Sequence, residues 1–510
     1  MSDDSDSLAT FRRLLESTTA PSGADSPVLL TDSLVGPAAG AVLRRCAVPH
    51  EFDPALLQRL GTYGEAEAAE RYAQFSELSV IQVNADALCV HERWRRPLWS
   101  WWLEDTQRAE FVALNEALVE WFAAMPERSG DDTAARRRMF HLVGCRQDEG
   151  LQAFEALFRA ARHRRRFSEC SLLLRLIHEY DPLLRPRERA LLTYHEGKLA
   201  SDLRDWERSL TLLRTVADDE AVEVRLRVNA EVRVGHTLRQ AGRPLEALTV
   251  LEKARDRVAA ADPTAARSAW RVLYELGEVY RDLGQADDAS AMLTRALASA
   301  NDDEEDADVA GMLNSLGTVQ LKLREIDSAI ESFRASLDYL KQRGDAVRSG
   351  GVLNNLGLAQ LERCDWPAAE ESLAASLEAK RAAGDLLGQA TTQLNLSRVQ
   401  ASQEHLDGAC HSAEQAATLY EAAGDVRGRV RARLATARLL RRSGRMVEWA
   451  ALLQALASEA QAAGDEVTAA TARAELARNA RRGGVPWWGK LLIVLALLLL
   501  IIAVAVAIAD

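Results

Sequence analysis

The sequence predicts a mainly α-helical protein: a solenoid of stacked antiparallel helix pairs, preceded by a small module with a two-stranded hairpin and followed by one membrane-spanning helix. Three observations carry this. Gly-Asp pairs recur every forty residues at Gly344-Asp345, Gly384-Asp385, Gly424-Asp425 and Gly464-Asp465; the pattern changes before residue 130; and nineteen apolar residues run without interruption near the C-terminus. Glycine supplies the left-handed residue that ends one helix and aspartate caps the next, so each pair marks a turn between helices.

Bulk properties agree with an extended array. At 510 residues the chain exceeds the roughly 250–300 residues at which single cores stop growing. Alanine, leucine, arginine and glutamate dominate, aromatic residues reach 6% and prolines number 13, a helix-favouring profile. The net charge of −12 argues against a chain whose task is to coat nucleic acid, which needs a basic surface. The excess of 57 arginines over 6 lysines fits a GC-rich genome and carries no functional weight. Six scattered cysteines without a CxxC pair fit a reducing compartment and free thiols. The start, MSDDSDSLAT, has neither the basic region nor the apolar stretch of a secretory signal.

Residues 1–30 are rich in Ser, Asp, Thr and Pro around one short amphipathic piece near Phe11–Leu15, and are expected to be disordered. Residues 31–130 form a separate module with a helical connector. Two or three short helices lead to a predicted β-hairpin, Ser79–Val83 and Ala87–His91, joined across Asn84-Ala85-Asp86. An alanine-rich helix ends in Cys46-Ala47-Val48, Phe52-Asp53 opens the next helix, and the hairpin ends in His91-Glu92-Arg93-Trp94-Arg95. This order resembles the winged-helix segment that follows the nucleotide-binding module in signal-transduction ATPases of the STAND type. The resemblance implies a winged-helix-like module next to helical repeats. It does not extend to the NTPase, because no GxxxxGK[ST] loop exists: neither Gly197-Lys198 nor Gly489-Lys490 has a glycine at the required distance before it.

Repeat units occupy residues 131–480, with about eight hairpins from residue 145 onward. A second landmark keeps nearly the same interval at Leu276-Gly277, Leu316-Gly317, Leu356-Gly357 and Leu396-Ser397, and twelve residues after each small residue comes alanine: Ala289, Ala329, Ala369 and Ala409. Small groups at these points let paired helices approach closely. Bulky residues between them, such as Ile326 and Trp366, are expected to wedge the hairpin, and Leu293, Phe333 and Leu373 to pack into the next helix. The spacing resembles the tetratricopeptide repeat (TPR) in a long form of about forty residues, which implies a TPR-type α-α superhelical solenoid. Upstream the pattern continues at Gly235 with Ala247, Gly197 with Ser209 and Phe158 with Cys170; downstream, the helix around Trp449 departs from it, as expected of a capping unit.

The segment Leu491–Ala509 reads LLIVLALLLLIIAVAVAIA. At 1.5 Å per residue it is about 28 Å long, close to the roughly 30 Å hydrocarbon core of a bilayer. Residues 481–490 form a basic and aromatic juxtamembrane segment, in which Trp487, Trp488 and Lys490 are placed at the membrane interface. The positive-inside tendency puts the N-terminal bulk in the cytoplasm of a single-pass, tail-anchored membrane protein, at a bacterial inner membrane.

The expected function is that of a scaffold or adaptor which binds a protein or peptide in the groove of the repeats at the cytosolic face of a membrane. In the resembled family an asparagine two residues before the small glycine often meets the backbone of a bound peptide. Asn355 and Asn395 match that place, Ser315 stands there one unit earlier, and Asn314, Asn354, Lys322 and Arg398 are expected nearby. The alternative is that these asparagines only tie neighbouring helices together. A second functional reading is a signalling or transcription-regulatory component related to STAND proteins, whose winged helix contacts nucleic acid or an effector. Seven Arg against nine Asp or Glu between Thr31 and Trp102 favour protein contact over DNA. The basic clusters Arg136-Arg137-Arg138 and Arg162-His163-Arg164-Arg165-Arg166 read as a solvated face or as phosphate or anionic-lipid contacts. Asn301–Asp308 lacks the glycine and spacing of a calcium loop. No HExxH or GxSxG occurs, and His405, Cys410 and His411 do not make a metal set. No enzyme, cofactor or metal is expected.

Overall fold

From residue 309 to 462 a left-handed turn residue stands at every described helix boundary and marks where each helix stops. The computed structural model describes residues 26–84, 87–125, 132–260, 269–300, 308–462 and 466–482. Outside them lie the amphipathic piece at 11–15, the hairpin tip at 85–86, most of the acidic stretch after Asn301, the pair Gly464-Asp465, the interface residues Trp487, Trp488 and Lys490, and the apolar segment 491–509. No helix among the described residues is long and apolar enough to cross a membrane. The chain divides into two units, residues 1–230 and 231–510.

The first unit opens with a helix at Ser26–Val35, so residues 26–30 are helical where disorder is expected for the whole of 1–30. Pro27 suits a first helical turn, and Leu30 is buried, which gives this stretch an apolar contact. Helices Pro37–Arg45, Pro54–Gly61 and Glu65–Ser76 follow. The Asp53 side chain caps the third of these four by accepting from Leu56 N at 2.7 Å. The strands Ile81–Val83 and Leu88–Val90 pair antiparallel, Ile81 opposite Val90. Phe52 exchanges two backbone hydrogen bonds with Leu88, of 2.8 and 2.9 Å, and so adds a bridge on the other side of the second strand. The arms are shorter than predicted because the His91 ring caps the following helix, Glu92–Trp102, by accepting from Arg93 N.

One core runs from this module into the first hairpin, Gln147–His163 with Phe167–His178. Trp102 Nε1 donates to the Arg44 carbonyl and Trp99 Nε1 to the Glu179 carbonyl, both at 2.8 Å, so two buried indoles find their partners. The basic clusters face carboxylates. Arg137 pairs with Glu51 at 2.6 Å, Arg136 with Glu169 at 3.6 Å, Arg164 and Arg166 with Asp132, and Arg162 with Asp202. Five of the cluster arginines are thus engaged within the fold, while Arg138 and Arg165 are exposed.

Repeats continue through Pro186–Asp202 with Trp206–Asp218 and Val224–Gln240 with Pro244–Ala260, the helix from Val224 crossing from the first unit into the second. Within the second unit, each hairpin has a first (A) helix and a second (B) helix. The A–B pairs are Ala269–Asp282 with Ala286–Ser299, Val309–Lys322 with Ile326–Gln342, Ala346–Glu362 with Trp366–Ala382, Leu386–Ser402 with Leu406–Ala422, and Val426–Arg442 with Met446–Ala462. Each B helix packs against the next A helix. The helix around Trp449 is not the cap: a further helix, Glu466–Arg482, packs against it, and Trp449 is buried.

The small residues act as expected. A Cβ on Gly317 would stand 2.7 Å from the Phe333 ring, so the aromatic side chain of the B helix lies directly on the A-helix backbone. Leu293 also reaches Leu316 and Val319 of the next A helix, as predicted. Trp366, expected to wedge its hairpin, is 37% exposed at the start of its B helix. A polar pin recurs beside the glycines: Ser332, Ser372 and Ser412 of three successive B helices donate to Gln320, Gln360 and Gln400 of their own A helices at 2.7–2.8 Å.

The turns from A to B carry a left-handed residue as well, and the pattern of glycines does not reveal it. Gly242, Gly284 and Gly444 take this place in three hairpins, but Arg165, Arg204, Arg324, Cys364 and Glu404 take it in the others, with φ between 57° and 66°. A non-glycine residue there costs roughly 1–2 kcal/mol, while glycine loses about 0.4–1 kcal/mol through the unfolded chain. Cys364→Gly, at an exposed turn, is therefore expected to stabilise the protein by about 0.5–1 kcal/mol, read as a higher denaturation midpoint; a lower midpoint would refute the strain at this turn.

Candidate functional site

The candidate site lies in the second unit, on the A helices Val309–Lys322, Ala346–Glu362 and Leu386–Ser402. A forty-residue period brings equivalent residues of successive A helices side by side, and here it aligns asparagines. Asn355 Nδ2 donates to Asn314 Oδ1 at 3.0 Å, and Asn395 Nδ2 donates to Asn354 Oδ1 at 3.0 Å. Asn354 Nδ2 reaches Asn355 Oδ1 at 3.4 Å and joins the two steps into one ladder. The asparagines thus do tie neighbouring helices, and they also line a cleft of about 330 Å³ between the first two A helices.

Hydrogen-bond direction decides what the cleft offers. The side-chain oxygens of Asn314, Asn354 and Asn355 all accept from within the ladder. Among the described residues, Asn314 Nδ2 donates to none, and Asn354 Nδ2 has a second proton beyond its long bond to Asn355. The cleft therefore presents donors, and suits a ligand rich in carbonyl or carboxylate oxygens.

Lys322 and Arg398 are placed elsewhere. Lys322 is exposed at the end of its helix and reaches the Arg281 carbonyl at 3.5 Å, while Arg398 is exposed and lies 3.9 Å from Glu362. The predicted set of six separates into four asparagines in one ladder and two cations outside the cleft.

Three lining residues escape a reading for family asparagines: Arg348, Gly351 and Lys380. Arg348 is held by Asp308 and lies 3.9 Å from Asp345. Lys380 comes from a B helix and is 8% exposed, with Nζ donating to Thr392 Oγ1 at 2.7 Å and the Gly388 carbonyl at 3.2 Å. Burial pushes its pKa down, and Asp385 works against that shift. Thr392 Oγ1 lies 3.3 Å from Asn354 Oδ1, so the lysine and the ladder belong to one buried polar network.

A neighbouring network is ionic. Between Val224–Gln240 and Ala269–Asp282, His236 Nδ1 lies 2.9 Å from Glu275, and Arg239 lies 3.0 Å from Asp282 and 3.6 Å from both Glu275 and Glu278. Burial alone would raise the Glu275 pKa; His236 and Arg239 more than reverse this and hold it at about 2. With its charges paired, this network reads as a register device between adjacent repeats.

The tetratricopeptide repeat family profile matches residues 226–301 and 268–342. These residues are tetratricopeptide repeats. No curated protein matches the chain. Among solved structures, the chain is similar to a STAND protein with a tetratricopeptide repeat sensor from Pyrococcus horikoshii, at 12% identity and TM-score 0.48, over 95% of this chain and 72% of that one. It is similar to a Rap protein complexed with Competence and Sporulation Factor, at 13% identity and TM-score 0.44, over 65% of this chain and 97% of that one. It is also similar to BtubC from P. vanneervenii, at 20% identity and TM-score 0.37, over 44% of this chain and 92% of that one.

Two glycines of the A helix Ala346–Glu362 separate packing from access. A Cβ at Gly357 would stand 2.7 Å from Leu373, whereas a Cβ at Gly351, on the cleft, would meet nothing within 4 Å. Gly357→Ala is expected to destabilise by about 1–3 kcal/mol through overpacking. Gly351→Ala is expected to stabilise by about 0.5–1 kcal/mol through helix propensity. Chemical denaturation of the two variants checks both signs, and a destabilising Gly351→Ala would mean that this glycine serves the fold.

Proposed function

We propose that the chain is a binding scaffold whose repeat groove holds a protein or peptide partner beside a membrane, to which the apolar segment 491–509 fixes it with the repeats on the cytoplasmic side. One observation carries the groove reading: the asparagine ladder spends its oxygens internally, keeps amide protons unused, and contributes Asn314, Asn354 and Asn355 to the lining of a cleft. An extended peptide has the complementary need, since its backbone carbonyls require donors wherever water is excluded. The repeats supply the frame, because stacked hairpins place one such position per unit along a row. Sequence alone supports the anchor, through nineteen apolar residues flanked by Trp487, Trp488 and Lys490.

A companion role for the N-terminal module follows from its own geometry. Its order of helix, Phe52 bridge, two helices and paired strands supports the winged-helix-like reading. The helix before the wing exposes Glu65, Glu67 and Glu70. An acidic face there opposes a phosphate backbone, so protein contact is the favoured role for this module and DNA contact is not.

Two measurements test the proposal. Purified full-length protein in detergent micelles is expected to bind a subset of an acetylated, amidated nonapeptide array, and the pair Asn314→Ala with Asn355→Ala to weaken that binding about tenfold, or about 1.4 kcal/mol, with helical circular dichroism intact. Binding that ignores the double variant would remove the ladder from the site. For the anchor, full-length chain synthesised with liposomes is expected to float with them, and a chain ending at Gly483 to remain at the bottom of the gradient; flotation of both would place membrane attachment elsewhere.

A further inference from the structure

Lys380 breaks the rule of its own repeat. At forty-residue spacing its position is Ala300, Leu340, Tyr420 and Ala460 in the other hairpins, and Leu340, Tyr420 and Ala460 are buried apolar side chains. Its partner Thr392 breaks the same rule, standing where Val272, Met312, Val352 and Ala432 are buried in other A helices. A long cation and the hydroxyl that holds it thus replace two core positions together. The backbone makes room for the pair: a Cβ on Gly388 would come 2.9 Å from Lys380 Cδ, and one on Gly350 3.1 Å from its Cγ.

Such a cation needs a counter-charge, because an ammonium taken out of water without one costs far more than a hydrogen-bonded neutral group. None forms an ion pair with it: both acceptors of Lys380 Nζ are uncharged, and Asp385 acts on it only from beyond ion-pair distance, where burial outweighs it. Two of its three protons are used, and the third is left. Of the residues lining the cleft, Arg348 and Lys380 are cationic and none is a carboxylate. Arg348 already has Asp308, so the cation without an ion pair is Lys380. Gly351 leaves the cleft wall bare where no packing requires it, at a helix-interior cost of roughly 0.5–1 kcal/mol relative to alanine.

We infer that the cleft takes a carboxylate side chain of an extended peptide, with Lys380 as its counter-ion and the free amide protons of Asn314 and Asn354 as further donors. This rests on the groove reading and adds to it a rule of selection: an Asp or Glu at one fixed place in the partner. A peptide is the source because the polar ladder runs on past the cleft to Asn395, farther than a small carboxylate could follow.

The test uses the full-length protein in detergent micelles and the same nonapeptide array, followed by fluorescence anisotropy on the best binder and its isostere with Asn for Asp or Gln for Glu. The acidic peptide is expected to bind wild type at least tenfold more tightly than the isostere, and Lys380→Met to reduce that ratio below twofold while it still binds the isostere. In protein labelled with 15N-lysine, which carries only six lysines, the Lys380 ammonium resonance is expected to move with the acidic peptide and stay with the isostere; this measurement stands even if Lys380→Met does not fold. Equal affinity for the two peptides overturns the carboxylate rule and leaves the groove reading in place. Absence of any bound peptide removes the groove reading itself. Free glutarate that binds as tightly as the acidic peptide overturns the peptide as the source.

Discussion

Everything in the second unit depends on how closely the two helices of a hairpin approach. Phe333 rests on bare backbone at Gly317 and Leu373 does the same at Gly357, and beside each contact a serine is bonded to a glutamine across the pair. Apolar contact and polar pin select the same register, so adjacent hairpins repeat with little variation. Only a frame this regular can align side chains forty residues apart to within hydrogen-bond distance, as Asn314 and Asn355 are. The ladder is a product of that regularity.

Against this background, departures from the repeat are informative. A core position tolerates leucine or alanine, or tyrosine with its hydroxyl bonded to Thr391, because none of these brings a charge, and lysine does. Where lysine and threonine enter together, with Gly350 and Gly388 opening space, the fold gives up local stability at one place. Sites of that kind are where local rules and overall structure are expected to disagree. The ionic network at Glu275 differs, since there the opposite charges pair with one another.

Much of the fold was legible in the sequence because glycine reports geometry. Gly344, Gly384 and Gly424 all adopt the left-handed conformation their spacing implied, and the hairpins begin and end accordingly. The A-to-B turns were not legible, because Arg324, Cys364 and Glu404 adopt that conformation without announcing it. Tertiary packing over-determines those turns, and composition does not encode packing. The asparagines were found through family resemblance. Arg398, three residues after Asn395, shares its side of the helix but is exposed beside Glu362, and Lys322 stands at the helix end, about 12 Å along the axis from Asn314. Lys380 and Arg348 were missed although the signal was available: comparison of each forty-residue unit with its siblings isolates Lys380 without any structure. The helix after Gly464-Asp465 was legible from that pair, while the burial of Trp449 was not, because it depends on packing between helices.

The seam at Gly384 has a meaning for how such a chain can change length. Units bounded by Gly344, Gly384 and Gly424 are near-interchangeable, so duplication or loss of a whole unit would preserve most contacts between neighbours. Lys380 and Thr392 stand on opposite sides of one seam, joined by a 2.7 Å bond. A new unit spliced in at Gly384 would part them, whereas one spliced in at Gly424 would not. In a family free to grow or shrink by forty residues, this one joint would be under selection to stay closed.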